Sequence, residues 1–261
     1  MRVLWQSFTA NGSGYLTLLR EALRALAGPG VEVVVTGLDQ PHPHLHRLSE
    51  ARCAYQVVAG NLDAQRRGFD AVVVGHFQDG GVHELRAALD IPVVGLGEAA
   101  LHNAMMLGEA FGLVTINPAF LSFHRDQVHR YRLSATFAGV RAMDTDPDIY
   151  FAALAGDAGA QRSVRTQFLH RARELVEVGA DVVIPAGGLP ALLLFDGGAP
   201  VDLDGAAVLD PLGVALGQAE MWARLGTTRV RPGRRGPYAR PSREVIEDFV
   251  SPLRSSDRSA E

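Results

Sequence analysis

Apolar runs separated by stretches of helical periodicity set the pattern of the chain from its first residues. Val3–Phe8 reads as a buried strand. Leu16, Leu19, Leu23 and Leu26 then recur on one helical face until Gly28-Pro29-Gly30 stops the helix. Val31–Thr36 is a β-branched strand, the His/Pro-rich stretch 38–46 a loop, and Ser49 to about Arg67 a second helix. Ala71–Gly75 follows as an apolar strand bounded by Asp70 and a polar turn. Further strands are predicted at Ile91–Gly95, Gly112–Thr115, Phe137–Arg141, Asp181–Pro185 and near Ala206–Leu209. Asn117-Pro118 is a good N-cap and first-turn pair for another helix. Strands alternating with helices predict an α/β fold with a parallel sheet covered on both faces.

The pattern repeats once. Residues 68–76 read GFDAVVVGH and residues 179–187 read GADVVIPAG, each with Gly, then Asp, then an apolar strand, ending at His76 and Gly187. The continuations also match, since IPVVGLGEA (91–99) and GAAVLDPLG (205–213) each bring a short strand to an acidic residue. Residues 1–225 are therefore expected to form two similar α/β halves, the first centred on 70–116 and the second on 137–210. Parallel sheets place ligands at the carboxyl ends of their strands, so a cleft between the halves would be faced by His76 and by Gly187-Gly188. Residues 226–261 form an Arg/Pro/Gly-rich arm and tail, with Arg229, Arg231, Arg234, Arg235, Arg240 and Arg243 in its first part. That arm is either solvated or a strap that closes over an anionic ligand or docks on a partner subunit, and 251–261 is expected to be disordered.

Composition narrows the chemistry. The 261 residues are 47% hydrophobic, enough for a sizeable core, and carry a formal charge of −4 with no basic block in the body of the chain. Neither a nucleic-acid footprint nor a membrane span is expected, and the first residues lack a signal-peptide core, so the expected location is the cytoplasm. There is no lysine. A Schiff base to pyridoxal phosphate or to a ketone is thereby excluded, because the guanidinium of arginine stays protonated. The single cysteine, Cys53, excludes an intrachain disulfide and any two-thiol mechanism within one chain.

The segments GHFQDGG (75–81), IPVVGLGEAA (91–100), LVTINP (113–118) and GADVVIPAGG (179–188) resemble the aspartate/glutamate/hydantoin racemase superfamily. LWQSF (4–8) is similar to its hydantoin-racemase-like branch. The resemblance covers roughly residues 1–225. It implies two Rossmann-like subdomains related by a pseudo-twofold, an active site between them, a small-molecule substrate, a homo-oligomer, and neither cofactor nor metal. Racemases of this family place one thiol at each of two strand ends, one removing a proton next to a carbonyl and the other delivering one from the opposite face. The matching positions here are His76 and Gly187, so both thiols are absent, while Cys53 falls in a predicted helix as a core residue. Relatives that decarboxylate arylmalonates keep only the second thiol, at the position of Gly187.

His76 is the candidate acid/base, since an imidazole exchanges a proton near neutral pH without much tuning. Gln78 and Asp79 either orient its ring and hold a substrate amide or cap the next helix. The turn Ala186-Gly187-Gly188 is either an anion-binding nest of backbone N–H groups or a plain tight turn. Gln6 and Ser7 end the first strand and, with Thr115 and Asn117, offer neutral hydrogen bonds to the cleft. Glu98 lies at a strand end as helix cap or site carboxylate. The run His42, His44, His46 has the wrong spacing to fix a metal tetrahedron. His46 could instead reach the cleft beside Glu50 or Arg52. Arg52 and Arg141 are the candidate cations for a substrate carboxylate. The function expected is a cofactor-independent isomerase that moves a proton at a carbon next to a carbonyl of a small carboxylate or a cyclic amide such as a hydantoin. The same fold also admits a decarboxylase, lyase, cyclic-amide hydrolase or cis–trans isomerase, or a non-catalytic ligand-binding protein.

Overall fold

The computed structural model describes residues 1–41, 44, 46–195, 201 and 203–251. Its first half runs β1 (Arg2–Ala10), α1 (Gly14–Leu26), β2 (Glu32–Leu38), α2 (Arg47–Asn61), β3 (Ala71–Val74), α3 (Val82–Ala88), β4 (Val93–Gly95) and α4 (Leu96–Ala104). The second half runs β5 (Phe111–Thr115), α5 (Leu121–Arg130), β6 (Phe137–Ala142), α6 (Pro147–Leu154), α7 (Ala158–Val176), β7 (Val182–Pro185), α8 (Gly188–Phe195), β8 (Ala207–Val208) and α9 (Pro211–Leu225). Every strand pair is parallel, and the sheets have the orders β2-β1-β3-β4 and β6-β5-β7-β8. The second order is the first with each strand advanced by four, so the repeat seen in the sequence is a repeat of topology. Among the described residues no helix is long and apolar enough to cross a membrane.

All eight expected strands form. The halves divide differently from expectation, because β5, placed with the first half in the 70–116 reading, is central in the second sheet. The Asp of each repeat has one local job. Asp70 accepts the backbone N–H of Arg2 at 2.7 Å, and Asp181 accepts those of Glu109 and Ala110 at 2.9 and 3.0 Å, fixing the start of the neighbouring strand.

Side-chain alternation explains why the strands are apolar throughout. Val3, Trp5, Ala71, Val73, Phe111, Leu113, Val182 and Ile184 face one shared core, which α1, α4 and α9 fill between the sheets. The opposite faces serve two separate cores: Leu4, Val72 and Val74 pack with α2 and α3, and Val114 and Val183 with α7. Because the largest core spans both sheets, the two halves are held against each other by buried apolar area. Two boundaries differ from expectation. Helix α2 ends at Asn61 rather than near Arg67, and Leu26 is exposed at the end of α1.

The arm is docked on its own chain. Arg234 donates to the carbonyls of Arg86, Ala87 and Leu89 and to Asp90 at 2.9, 2.6, 2.6 and 3.0 Å, satisfying the C-terminus of α3. Arg240 also pairs with Asp90, and the Tyr238 hydroxyl meets His83 Nδ1 at 2.6 Å. Helix α10 (Arg243–Val250) then reaches α2, where Tyr55 donates to the carbonyl of Phe249 at 3.1 Å. Among the described residues the arm's hydrogen bonds beyond itself therefore go to the first half; residues 252–261 lie outside the described residues.

Candidate functional site

The carboxyl ends of β3 and β7 set the site. Gly75 directly follows β3, and a Cβ there would lie 2.0 Å from Trp5 Nε1, so only glycine lets the chain pass the tryptophan before His76. His76 is one-fifth exposed. Its ring stacks on Phe8 from β1, with centroids 4.0 Å apart and planes 9° from parallel. Its Nε2 lies 2.8 Å from Oε2 of Glu50, in the first turn of α2. Burial pushes the Glu50 carboxyl up, but the hydrogen bond and charge of His76 outweigh it and hold the group below the usual carboxylate range. Nδ1 of His76 makes no hydrogen bond among the described residues. The ring is thus fixed in plane by Phe8, anchored on one nitrogen by a carboxylate, and open on the other.

Elements of the second half converge on the same point. His124 of α5 is fully buried, with its ring edge-on to Phe77 and Nε2 3.2 Å from Thr115 Oγ1 at the end of β5. Burial lowers its pKa to about 4, with the nearby charge of His76 acting in the same direction and the polar side chain of Gln127 acting against it. His124 is a neutral imidazole at neutral pH. Its Nδ1, Trp5 Nε1 and Gln127 Oε1 are buried without a hydrogen-bond partner among the described residues. At the end of β7, Gly187 has φ +149° and Gly188 opens α8.

Several residues expected at a ligand are used by the protein itself. Gln6 donates to the carbonyls of Ser7 and Gly37 and accepts from Thr36 and Asn61, all at 2.9 Å, so its amide has no capacity left. Ser7 Oγ is tied to Thr9. Asp79 is buried, with φ +59°, and caps α4 by accepting from Gly97 N and Glu98 N at 2.9 and 2.7 Å. Its second oxygen also takes Gln127 Nε2 and the Tyr131 hydroxyl, both at 2.8 Å. Burial raises it to about 7, with hydrogen bonds from Tyr131, Gly97 and Gln127 acting against the rise and the charge of Glu98 adding to it. Asp79 is a knot between the halves, its carboxylate oxygens taken up by donors from α4 and α5 and by Tyr131. Gln78 is partly buried, and its carbonyl accepts from Arg130.

Glu98 forms a two-pronged pair with Arg86 at 2.5 and 3.1 Å, so both its oxygens are engaged. Arg141 pairs with Glu174 at 3.2 Å, so its charge is already matched, and Arg52 donates to the neutral amide of Gln40 at 2.8 Å. Asn117 caps the turn at 118–120 and His46 caps α2, accepting from Leu48 N through Nδ1. His42 lies outside the described residues. The backbone nest is smaller than expected. Ala186 N donates to Val114, Gly187 N to Pro185 and Ala191 N to Gly187, and Pro190 has no N–H, which leaves the N–H groups of Gly188 and Leu189 at the start of α8. A cavity of about 700 Å³ lies elsewhere, between α1, α6 and α8, and none of the expected cleft residues lines it.

His124 thus joins Thr115 to the neighbourhood of His76, Gly187-Gly188 stands at the corresponding strand end of the other sheet, and Gln6, Ser7, Asp79, Glu98, Asn117, His46, Arg52 and Arg141 are engaged by the protein's own groups. Phe8 and His124 join the site without having been singled out for it, and Glu50, expected only as a neighbour of His46 at the cleft, is the partner of His76. Glu50 is 26 residues from His76, and only the packing of α2 joins them.

Residues 11–219 match the model of the family described as Asp/Glu/Hydantoin racemase. A hydantoin racemase of Rhizobium meliloti is 28% identical over 185 residues, which is 69% of this chain and 72% of that protein. A hydantoin racemase of Pseudomonas sp. (strain NS671) is 32% identical over 91 residues, 32% of this chain and 36% of that protein. The structure of an allantoin racemase from Klebsiella pneumoniae superposes with a TM-score of 0.74 at 26% identity, covering 92% of this chain and 94% of that one.

Proposed function

Since the chain belongs to the Asp/Glu/hydantoin racemase family, we propose that it racemises a cyclic ureide of the 5-substituted hydantoin type, with His76 as the acid/base and no cofactor. The observation that carries the reading is the Glu50–His76 pair at the end of β3. An ionised Glu50 accepts from Nε2–H, so the lone pair sits on Nδ1, the nitrogen without a partner. Nδ1 takes the proton from the carbon next to the carbonyl, and Glu50 stabilises the imidazolium that forms. The first N–H groups of α8 are the donors available to the enolate oxygen, and the buried Thr115–His124 pair supports the floor beneath them. Relatives named for hydantoin and allantoin racemisation support the substrate class, because both compounds carry an acidic C–H between a ring carbonyl and a ring nitrogen.

The test is optical rotation with single enantiomers of 5-benzylhydantoin and allantoin, using the wild type and Glu50→Gln. The wild type should bring rotation to zero. Glu50→Gln keeps the shape of the pair but removes its charge, and should lower kcat by about 10- to 100-fold with KM little changed. Loss of carbon dioxide from a phenylmalonate without any racemisation would move the assignment to a one-sided decarboxylation.

A further inference from the structure

Inversion through one base leaves a gap on the other face of the substrate. The strand end opposite His76 reads Ala186-Gly187-Gly188 and offers no side chain that can carry a proton. A hydroxyl from the other half stands there. Tyr15, in the first turn of α1 just beyond β1, places its oxygen 2.2 Å from where a Cβ of Gly188 would be. The oxygen therefore occupies the space that a side chain at Gly188, the first residue of α8 and one position after the strand-end Gly187, would fill. The Tyr15 ring packs against the shared core, which holds its direction. Its hydroxyl makes no hydrogen bond among the described residues, although the residue is only partly exposed.

We propose that the Tyr15 hydroxyl is the proton donor on the substrate face opposite His76. This rests on the racemase reading above. His76 Nδ1 takes the proton, and the C–H electron pair enters the enolate. Tyr15 then gives its proton to the opposite face of the same carbon, and a new C–H bond forms as the O–H bond breaks. Imidazolium and phenolate remain, and solvent carries one proton from the first to the second to reset the site. The other enantiomer runs the same steps in reverse. Burial pushes the Tyr15 pKa up, so the group rests as a neutral phenol and donates rather than abstracts in the resting enzyme. Gly188 is then required for space, because any Cβ would displace the hydroxyl.

Tyr15→Phe removes one oxygen and keeps the ring, and Gly188→Ala displaces the oxygen without touching Tyr15. Each would be incubated in heavy water with the separate enantiomers of 5-benzylhydantoin. Proton NMR would follow loss of the ring C–H, and chiral chromatography would follow inversion. Thermal melting would verify that both variants are folded. Inversion should fall by about 100-fold or more in both variants. One enantiomer, the one whose C–H faces His76, should still exchange its proton for deuterium with retention. Inversion by Tyr15→Phe at close to the wild-type rate would overturn the proposal. So would equal loss of exchange for both enantiomers, which would make Tyr15 a binding group. A wild type that exchanges neither enantiomer would remove the racemase reading, and this proposal with it.

Discussion

Gly187 occupies the strand end at which the resemblance places a thiol, and its backbone argues that a side chain cannot simply be put back. Its φ of +149° lies where L-residues are strained, and its N–H closes a tight turn onto the carbonyl of Pro185 at 2.9 Å. A Cβ would also lie 3.3 Å from Cδ of Pro190, a ring that cannot rotate away. Backbone strain of this kind costs about 1–3 kcal/mol. At about 2–4 °C per kcal/mol for a domain of roughly this size, Gly187→Ala and Gly187→Cys should each melt about 2–12 °C below the wild type. Gly217→Ala is the control, because Gly217 is exposed in the middle of α9 with nothing within 4 Å of its added Cβ. Helix propensity alone should raise its stability by about 0.5–1 kcal/mol. Urea unfolding and melting curves of the variants decide the matter. If Gly187→Ala matched the wild type, or shifted in the same direction as Gly217→Ala, the strain argument would be refuted.

Two further outcomes follow from contacts in the frame. Arg234→Ala leaves the last carbonyls of α3 without their donor and should cost about 1–3 kcal/mol, with faster proteolysis within 226–250 as the readout. In the pH dependence of stability, His124 and Asp79 oppose each other. His124, lowered to about 4 from 6.5, contributes stability that is present above pH 6.5 and is lost as pH falls towards 4. Asp79, raised to about 7 from 3.8, contributes stability that is present below pH 3.8 and is lost as pH rises through 7. Between pH 4 and 6.5 each changes by about 3–4 kcal/mol at about 1.4 kcal/mol per pH unit and in opposite directions, so together the two should alter wild-type stability by only about 1 kcal/mol across that window. His124→Gln should leave Asp79 unopposed, and stability measured by urea unfolding should then fall as pH rises across that window.

The fold was legible because its signals are local or repeated. Val72, Val73 and Val74 are apolar on consecutive positions because both faces of β3 are buried, and the Gly-x-Asp-strand repeat carries the order of both sheets. The division of the halves was not legible, since nothing in Phe111–Thr115 says which sheet the strand joins. Within the site, His76 and the glycines at the end of β7 could be found because strand ends in a parallel sheet meet ligands. The fate of the other polar residues could not. Asp79 looks like a site carboxylate until α4, Gln127 and Tyr131 are seen to consume its oxygens, and Arg141 looks like a free cation until Glu174 arrives from α7. Glu50 and Tyr15 were hidden for the converse reason. Their partners lie 26 and 173 positions away along the chain, and only helix packing brings them together.

The central claim is that His76 moves a proton at carbon, and deuterium exchange tests it most directly. Proton NMR in heavy water would follow the ring C–H of each enantiomer of 5-benzylhydantoin with the wild type and with His76→Ala. The wild type should replace that proton by deuterium in both enantiomers as it racemises them. His76→Ala should slow exchange by at least about 100-fold while still binding the substrate. Undiminished exchange in His76→Ala would contradict the account and place the base elsewhere in the cleft.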